Sequence, residues 1–386
     1  MAVAPAPLFT ESPVSHLNDL LSRICVELQL DETHYDLAKQ RYGAVGKWLD
    51  APGTLVALYR PTIYPQGSMA LNTTVKPPKG DEFDLDFVCE FGVDYRAFAN
   101  PVALLDLLEK RLREHATYRS MLERKNRCVR LNYAREFYMD ILPGCHDPHN
   151  GGTCLVVPDR RLPTWKASNP KGYIDWFTGR TVFRVSRSRM FADAEPIPDQ
   201  EAVSDKPPLK LAVQLLKRWR DLKYATNMDI APISIVLTTL AGNTYRGEGT
   251  VAEAMDTILA GIVVAIDTAL PKRLPVRNPS NTNEDLSERW DSDRAAYEMF
   301  CITMRELNVQ WRQLRAETGL MNVTARLERL FGRDLARSVV REQAEFVEQL
   351  CAKQQTTVKK QSGIISNLAA SAAVTMPRNT FYGEEE

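Results

Sequence analysis

Neither sign of charge is in excess: Lys plus Arg and Asp plus Glu each number 49 in 386 residues, a formal net charge of +0. A chain with no global positive field exerts no long-range pull on nucleic acid, which weighs against RNA or DNA as the main substrate. Only local basic patches remain, for example around Arg127 and Arg130. Long apolar runs are also missing. The longest, Thr257 to Ile266, is closed by Asp256 and Asp267, far short of the ~20 residues a membrane span needs. The apolar, proline-rich Met1 to Thr10 follows no basic segment and does not read as a secretory signal. The 7 cysteines are scattered in no disulfide pattern, and their odd number favours a reducing cytosol. These absences lead us to expect a soluble cytoplasmic protein with no membrane partner. What is present is core-forming material: 44% hydrophobic residues, with 6 Trp, 13 Tyr and 13 Phe, enough for two intimately packed lobes.

The most informative stretch runs from Tyr64-Pro-Gln-Gly-Ser-Met-Ala-Leu-Asn72 to Asp81-Glu-Phe-Asp-Leu-Asp-Phe-Val-Cys89. Gly67-Ser68 opens a short helix, where backbone N–H groups and a hydroxyl can cradle phosphate. Asp84 and Asp86 follow on a strand. Residues two apart on a strand share a face, so these carboxylates lie side by side while Leu85 and Phe87 face the core. Like charges that close need cations, and oxygen-only ligands suit magnesium. Downstream, strands at Cys128–Tyr133 and Phe137–Leu142 are joined by the tight Ala134-Arg135-Glu136 connection. Phe137, Met139 and Ile141 then face one way and Asp140 the other, beside the first two carboxylates if the strands are neighbours.

Around this core, apolar periodicity predicts helices over 14–30, a second helix capped at Thr33 with Asp36 three residues on, and another over 101–124. A polar, proline-rich stretch over 188–208 reads as a crossover. Everything after Leu209 is helical in period, over 209–223, 232–242, 250–268, 284–318 and 322–354. The expected division is 1–50 as N-terminal helices packing across both lobes, 51–187 as the carboxylate-bearing core, 188–208 as a linker, 209–361 as a helical lobe and 362–386 as a flexible tail. Trp165 to Phe177 reads as a hairpin and helix packed on the sheet. In the tail, Phe381 and Tyr382 could form a docking peptide for a partner.

The Gly-Ser turn, Asp-x-Asp strand and third strand carboxylate resemble the DNA polymerase beta-like nucleotidyltransferase superfamily. The later segments Val156-Val-Pro-Asp-Arg160, Trp165 to Phe177, Leu209-Lys-Leu-Ala-Val-Gln-Leu-Leu-Lys-Arg-Trp-Arg-Asp221, Pro232-Ile-Ser-Ile-Val-Leu237 and Asn278 to Trp290 narrow this to a likeness to the cGAS/DncV-like nucleotidyltransferases, relatives of oligoadenylate synthases. The resemblance spans roughly residues 15 to 350. It implies an α+β, bilobal fold: a polymerase beta-like core of mixed sheet and helices plus a C-terminal helical lobe. It implies Asp84, Asp86 and Asp140 as catalytic, metal-holding residues for two Mg²⁺ ions, with Mn²⁺ able to substitute. Nucleotide-binding residues on the family pattern are Gly67, Ser68, Lys217 and Ser234, the last two gripping the donor triphosphate; Gln66, just before the turn, is placed either to touch phosphate or to support the turn. Relatives carry an aromatic after this serine for base stacking; here it is Ile235.

The implied activity is cyclic di- or trinucleotide synthesis from ATP and other NTPs with pyrophosphate release, an adenine-containing cyclic trinucleotide being favoured. The implied setting is bacterial antiphage signalling, with a protein regulator, an effector that reads the product, and no duplex nucleic acid as activator. Two alternatives share the motifs: a template-independent RNA-tailing or tRNA-end enzyme, and a non-catalytic nucleotide-binding module. Cys145, His146, His149 and Cys154 cluster in sequence, but their spacing matches no common zinc module and zinc is not expected.

Overall fold

The computed structural model describes residues 13–78, 82–134, 136–181 and 195–352, together with three short C-terminal strands. The expected tail segment from Met376 on, the first part of the crossover (188–194) and Met1 to Thr10 lie outside the described residues.

In chain order, α1 (Pro13–Glu27) and α2 (Glu32–Leu49) precede β1 (Pro61–Pro65), the one-turn α3 (Gly67–Ala70) and the long β2 (Phe83–Asp94). Next come α4 (Pro101–Arg113), α5 (Ala116–Met121), β3 (Leu122–Arg124), β4 (Val129–Tyr133), β5 (Phe137–His146), β6 (Leu155–Asp159), β7 (Thr164–Ser168) and α6 (Pro170–Thr181). The second half contains α7 (Pro208–Lys223), α8 (Ser234–Thr244), α9 (Val251–Ala269), the hairpin β8 (Arg277–Asn278) and β9 (Asn281–Asp285), α10 (Arg289–Ser292), α11 (Arg294–Ala316), α12 (Leu320–Phe331) and α13 (Arg333–Ala352). The chain closes with β10 (Thr357–Lys359), β11 (Ile365–Ser366) and β12 (Ala373–Thr375).

The main sheet is mixed, in the order β1-β2-β5-β4-β3, with β6 paired to the far end of β5 and β7 to β6. Its central pair, β2 and β5, is parallel, and its other pairs are antiparallel. Strand alternation explains why. Phe83, Leu85 and Phe87 of β2 and Phe137, Met139 and Ile141 of β5 bury one face under α2 and α4. The opposite face at that end of the sheet carries the acids. This sheet core also holds Tyr35, Tyr42 and Leu49 of α2.

A second core joins α7, α8, α9, α11 and α12. To it α1 contributes Leu17, Leu20, Leu21, Ile24 and Leu28, and α6 contributes Tyr173, Ile174 and Phe177. Trp311, in the C-terminal third of α11, is fully buried and donates its indole N–H to Asp256 at 2.7 Å. The hairpin β8–β9 ties the two cores together. Glu284 accepts hydrogen bonds from Asn278, from the Ser168 hydroxyl and from the Asn169 N–H.

Four expectations are corrected. Asp31, not Thr33, caps α2, accepting from the His34 N–H at 3.0 Å; a carboxylate two residues earlier serves as a cap as well as a threonine does. The helix expected over 101–124 is α4, α5 and an edge strand, broken around His115, which caps α5. The segment 284–318 begins as a strand, because the polar Asn281 to Asp285 pairs with β8 instead of continuing an apolar stripe. The helix expected over 322–354 is two, parted by Gly332 at φ +100°, a conformation side-chain-bearing residues avoid.

Leu85 is fully buried directly beneath the acidic face. Leu85→Ala is expected to cost about 2–5 kcal/mol of stability, read from urea or thermal unfolding.

Candidate active site

The turn after β1 is built against β2. Gln66 donates its N–H to the Asp86 carbonyl at 2.9 Å, and the Thr73 N–H donates to the Ser68 carbonyl at 2.9 Å. Gly67 has φ +62°, and a Cβ there would lie 2.6 Å from Asp86 Oδ2. Only glycine satisfies both the backbone conformation and the closeness of the carboxylate. Ser68 and Gln66 are half-exposed at the rim. Because α3 is one turn long, its dipole is small; what it presents is a short row of N–H groups and a hydroxyl.

Beside this turn stand the three carboxylates. The parallel register pairs Asp86 with Asp140, and Asp84 lies two residues before Asp86 on the same face. Burial, then repulsion from Asp84 and Asp140, pushes the Asp86 carboxyl up to about 7. Burial also raises Asp84, opposed by the nearby Arg130 charge. Arg130, on β4, is set opposite Asp140 by the β4–β5 hairpin. Its Nε and Nη2 donate to the two Asp140 oxygens, both at 2.7 Å, and Nη2 reaches Asp84 Oδ1 at 3.2 Å. The hydrogen bonds to Asp140 are the main reason its own pKa is raised. Among the described residues no three His, Cys, Asp or Glu side chains converge to share one ion. The two outer carboxylates are instead turned onto Arg130. In chemistry the three carboxylates suit a hard divalent cation, with Asp86 crowded enough to ionise with difficulty alone, and the Cys128 thiol, hydrogen-bonded to Asp140, lies at their edge.

The facing wall comes from α7 and α8. Lys217 is buried, and its ammonium donates to the Thr73 carbonyl at 3.0 Å and hydroxyl at 3.1 Å. One turn earlier Gln214 donates to the Thr74 carbonyl at 2.8 Å. These bonds dock α7 onto the segment that follows the Gly-Ser turn. Burial lowers Lys217 to about 8, partly offset by the Asp221 and Asp86 charges. Ser234 is the first residue of α8 and makes no capping bond; it accepts from Arg220 Nη1 at 3.3 Å. Arg220 also pairs with Asp221 at 2.8 Å, and its buried Nε has no hydrogen-bond partner.

Trp165 packs edge-on against Tyr95, and Tyr173 donates to or accepts from Thr239 at 2.8 Å, so this aromatic stretch is spent on packing. Cys145 faces the sheet core, and Cys154 lies against the Asn169 amide. Two residues of the cleft were not picked out as site residues from sequence, Arg130 and Arg220. The hairpin gave the signal for the first, since a tight turn pairing Tyr133 with Phe137 places Arg130 opposite Asp140. Helical spacing gave it for the second, three residues after Lys217.

A carboxylate-lined cleft between a mixed sheet and a helical wall, with a Gly-Ser turn at its edge, defines the nucleotidyltransferase class. The family model described as Second Messenger Oligonucleotide or Dinucleotide Synthetase domain matches residues 14–180. A c-di-GMP synthase of Roseivirga ehrenbergii is 30% identical over 379 residues, covering 98% of this chain and 100% of the relative. A cyclic dinucleotide synthase, CdnG, of Bradyrhizobium diazoefficiens is 31% identical over 301 residues, 71% of this chain and 70% of the relative. The solved structure of the Bradyrhizobium diazoefficiens CD-NTase CdnG in complex with GTP superposes with TM-score 0.69 at 27% identity, covering 84% of this chain and 98% of that one. The chain belongs to the cGAS/DncV-like nucleotidyltransferases. Among its described residues no helix is long and apolar enough to cross a membrane.

Two outcomes follow from this geometry. Gly67→Ala forces the turn and Asp86 apart, so nucleotidyl transfer should fall at least about 100-fold while circular dichroism stays native. Triphosphate binding favours the charged form of Lys217, so binding near pH 8 should take up protons and weaken as pH rises through about 8. Calorimetry in buffers of differing ionisation enthalpy measures that uptake, and Lys217→Met should remove it.

Proposed function

We propose that this enzyme converts GTP into a guanine-containing cyclic dinucleotide, releasing pyrophosphate at each of two transfers. The observation that carries the chemistry is the register that sets Asp86 beside Asp140, with Asp84 on the same face and the Gly67-Ser68 turn against them. The names of the relatives, a c-di-GMP synthase and a cyclic dinucleotide synthase, support guanine and a two-membered ring over the adenine-containing cyclic trinucleotide expected from motifs alone.

In this reading Asp84, Asp86 and Asp140 are the catalytic residues. Bound Mg²⁺, two ions with Mn²⁺ as a substitute, would be held by Asp84 and Asp86 with Asp140 completing one site, supplying charge neutralisation to the triphosphate and the attacking hydroxyl. The chain's own groups do the rest. The N–H row at Gly67 and Ser68, with the Ser68 hydroxyl and Gln66 beside it, binds phosphate oxygens. Lys217 and Ser234 face the donor triphosphate, and Arg220 adds a second fixed cation beside them. Asp140 stands to take the proton from the ribose hydroxyl as it attacks the α-phosphate, and pyrophosphate leaves in line. A second round on the linear intermediate closes the ring. We further propose bacterial antiphage signalling as the setting, with a protein regulator upstream and an effector that reads the cyclic product.

The test is incubation with the four labelled triphosphates, singly and together, followed by phosphatase and mass spectrometry. GTP alone should give a phosphatase-resistant product with the mass of a cyclic guanine dinucleotide, and the double variant Asp84→Ala, Asp86→Ala should give none. A linear polymer that requires RNA would replace this reading with a tailing enzyme.

A further inference from the structure

Arg130 occupies the position a cation would have to share. Its fork covers both oxygens of Asp140 at 2.7 Å and touches Asp84 at 3.2 Å, with the arginine and Asp140 side chains only 18% and 16% exposed. The guanidinium carbon sits 4.6 Å from the Tyr138 ring centre, and that ring is fixed by a 2.6 Å hydrogen bond from its hydroxyl to Glu82. Tyr138 and Asp140 are on the same face of β5, and Arg130 is opposite Asp140 on β4, so platform, fork and carboxylate share one register. Bidentate arginine–carboxylate pairs are among the strongest hydrogen-bonded contacts, and this one engages both Asp140 oxygens, taking two of the roughly four lone-pair sites on which a metal would draw. Asp86, by contrast, has no arginine on it and lies against Gly67.

We propose that Arg130 is a positioning residue, the resident counter-ion of the acidic cluster, which holds Asp140 away from metal in the nucleotide-free enzyme. On arrival of the metal-bearing triphosphate it releases Asp140, and its guanidinium turns toward phosphate while still resting on Tyr138. The inference depends on the carboxylates being the metal centre, as proposed above. It makes metal binding weak in the free enzyme and couples it to nucleotide binding, since the charge that leaves Asp140 is welcomed by the triphosphate. A purely structural arginine would not have this effect, since its loss would disturb the cluster and weaken every ligand.

The experiment is Mn²⁺ binding to the nucleotide-free protein, followed by electron paramagnetic resonance, for the native chain and for Arg130→Gln, Arg130→Lys and Asp86→Asn. Loss of the fork should tighten Mn²⁺ binding by about tenfold in Arg130→Gln, the equivalent of one charge-assisted contact. Arg130→Lys, which cannot cover both Asp140 oxygens, should fall between the two and keeps the test valid if the glutamine variant folds poorly. Unchanged or weaker Mn²⁺ binding in both Arg130 variants, with binding abolished in Asp86→Asn, overturns the role of Arg130 and leaves the metal centre standing. Full Mn²⁺ binding in Asp86→Asn overturns the metal centre itself and the inference with it.

Discussion

Three negative charges packed against one another are the constraint around which this protein is arranged. The parallel pairing of β2 and β5 leaves Asp86 and Asp140 as neighbours, and the period of the strand adds Asp84. In a partly dry cleft such repulsion is worth far more than in water. The surrounding features answer it. Arg130 lies across the outer two carboxylates, Lys217 and Arg220 supply positive charge from the facing wall, and Gly67 has no side chain to crowd Asp86. Repulsion of this kind is relieved by any positive charge brought against it.

The two cores meet at that cleft and are stitched there as well as through the β8–β9 hairpin. Lys217 and Gln214 bind the backbone of Thr73 and Thr74, docking α7 on the segment that follows the Gly-Ser turn. Lys217 therefore has two partners to choose between, the threonine that positions it now and a phosphate that would compete for the same ammonium. The residue after Ser234 is Ile235, packed against the helical core, so no aromatic at that position offers a surface for a base.

Much of the sheet was legible because burial writes itself into alternation. Phe83, Leu85 and Phe87, then Phe137, Met139 and Ile141, announce two strands with one buried face, and the acids between them fall on the other. Helices with a wide apolar stripe, such as α7, α9 and α11, were legible for the same reason. The misses have local causes. Gly332 breaks a stripe that continues on both sides of it, and β8–β9 is a polar hairpin stabilised by Glu284 and not by periodicity. His115 divides a run of leucines from a short second helix. Arg130 was legible only as part of a local basic patch, because its importance comes from what lies across the hairpin, which a scan for charged patches does not weigh.

The placement of α1 has a consequence for how the chain acquires its shape. Its apolar face is buried against α7, α9 and α13, all distant from it in sequence. Asn18 accepts from the Ala252 N–H at 2.9 Å, and Asp19 accepts from Gln343 at 2.6 Å. Those partners lie 234 and 324 residues further along the sequence, so α1 finds its place only when they are ordered. Contacts this distant in sequence form slowly, because the intervening chain must be ordered before they reward it. The seam between α7 and the Gly-Ser turn closes on the same late timetable. A chain lacking α7 and α8 would therefore carry all three carboxylates without the wall that faces them.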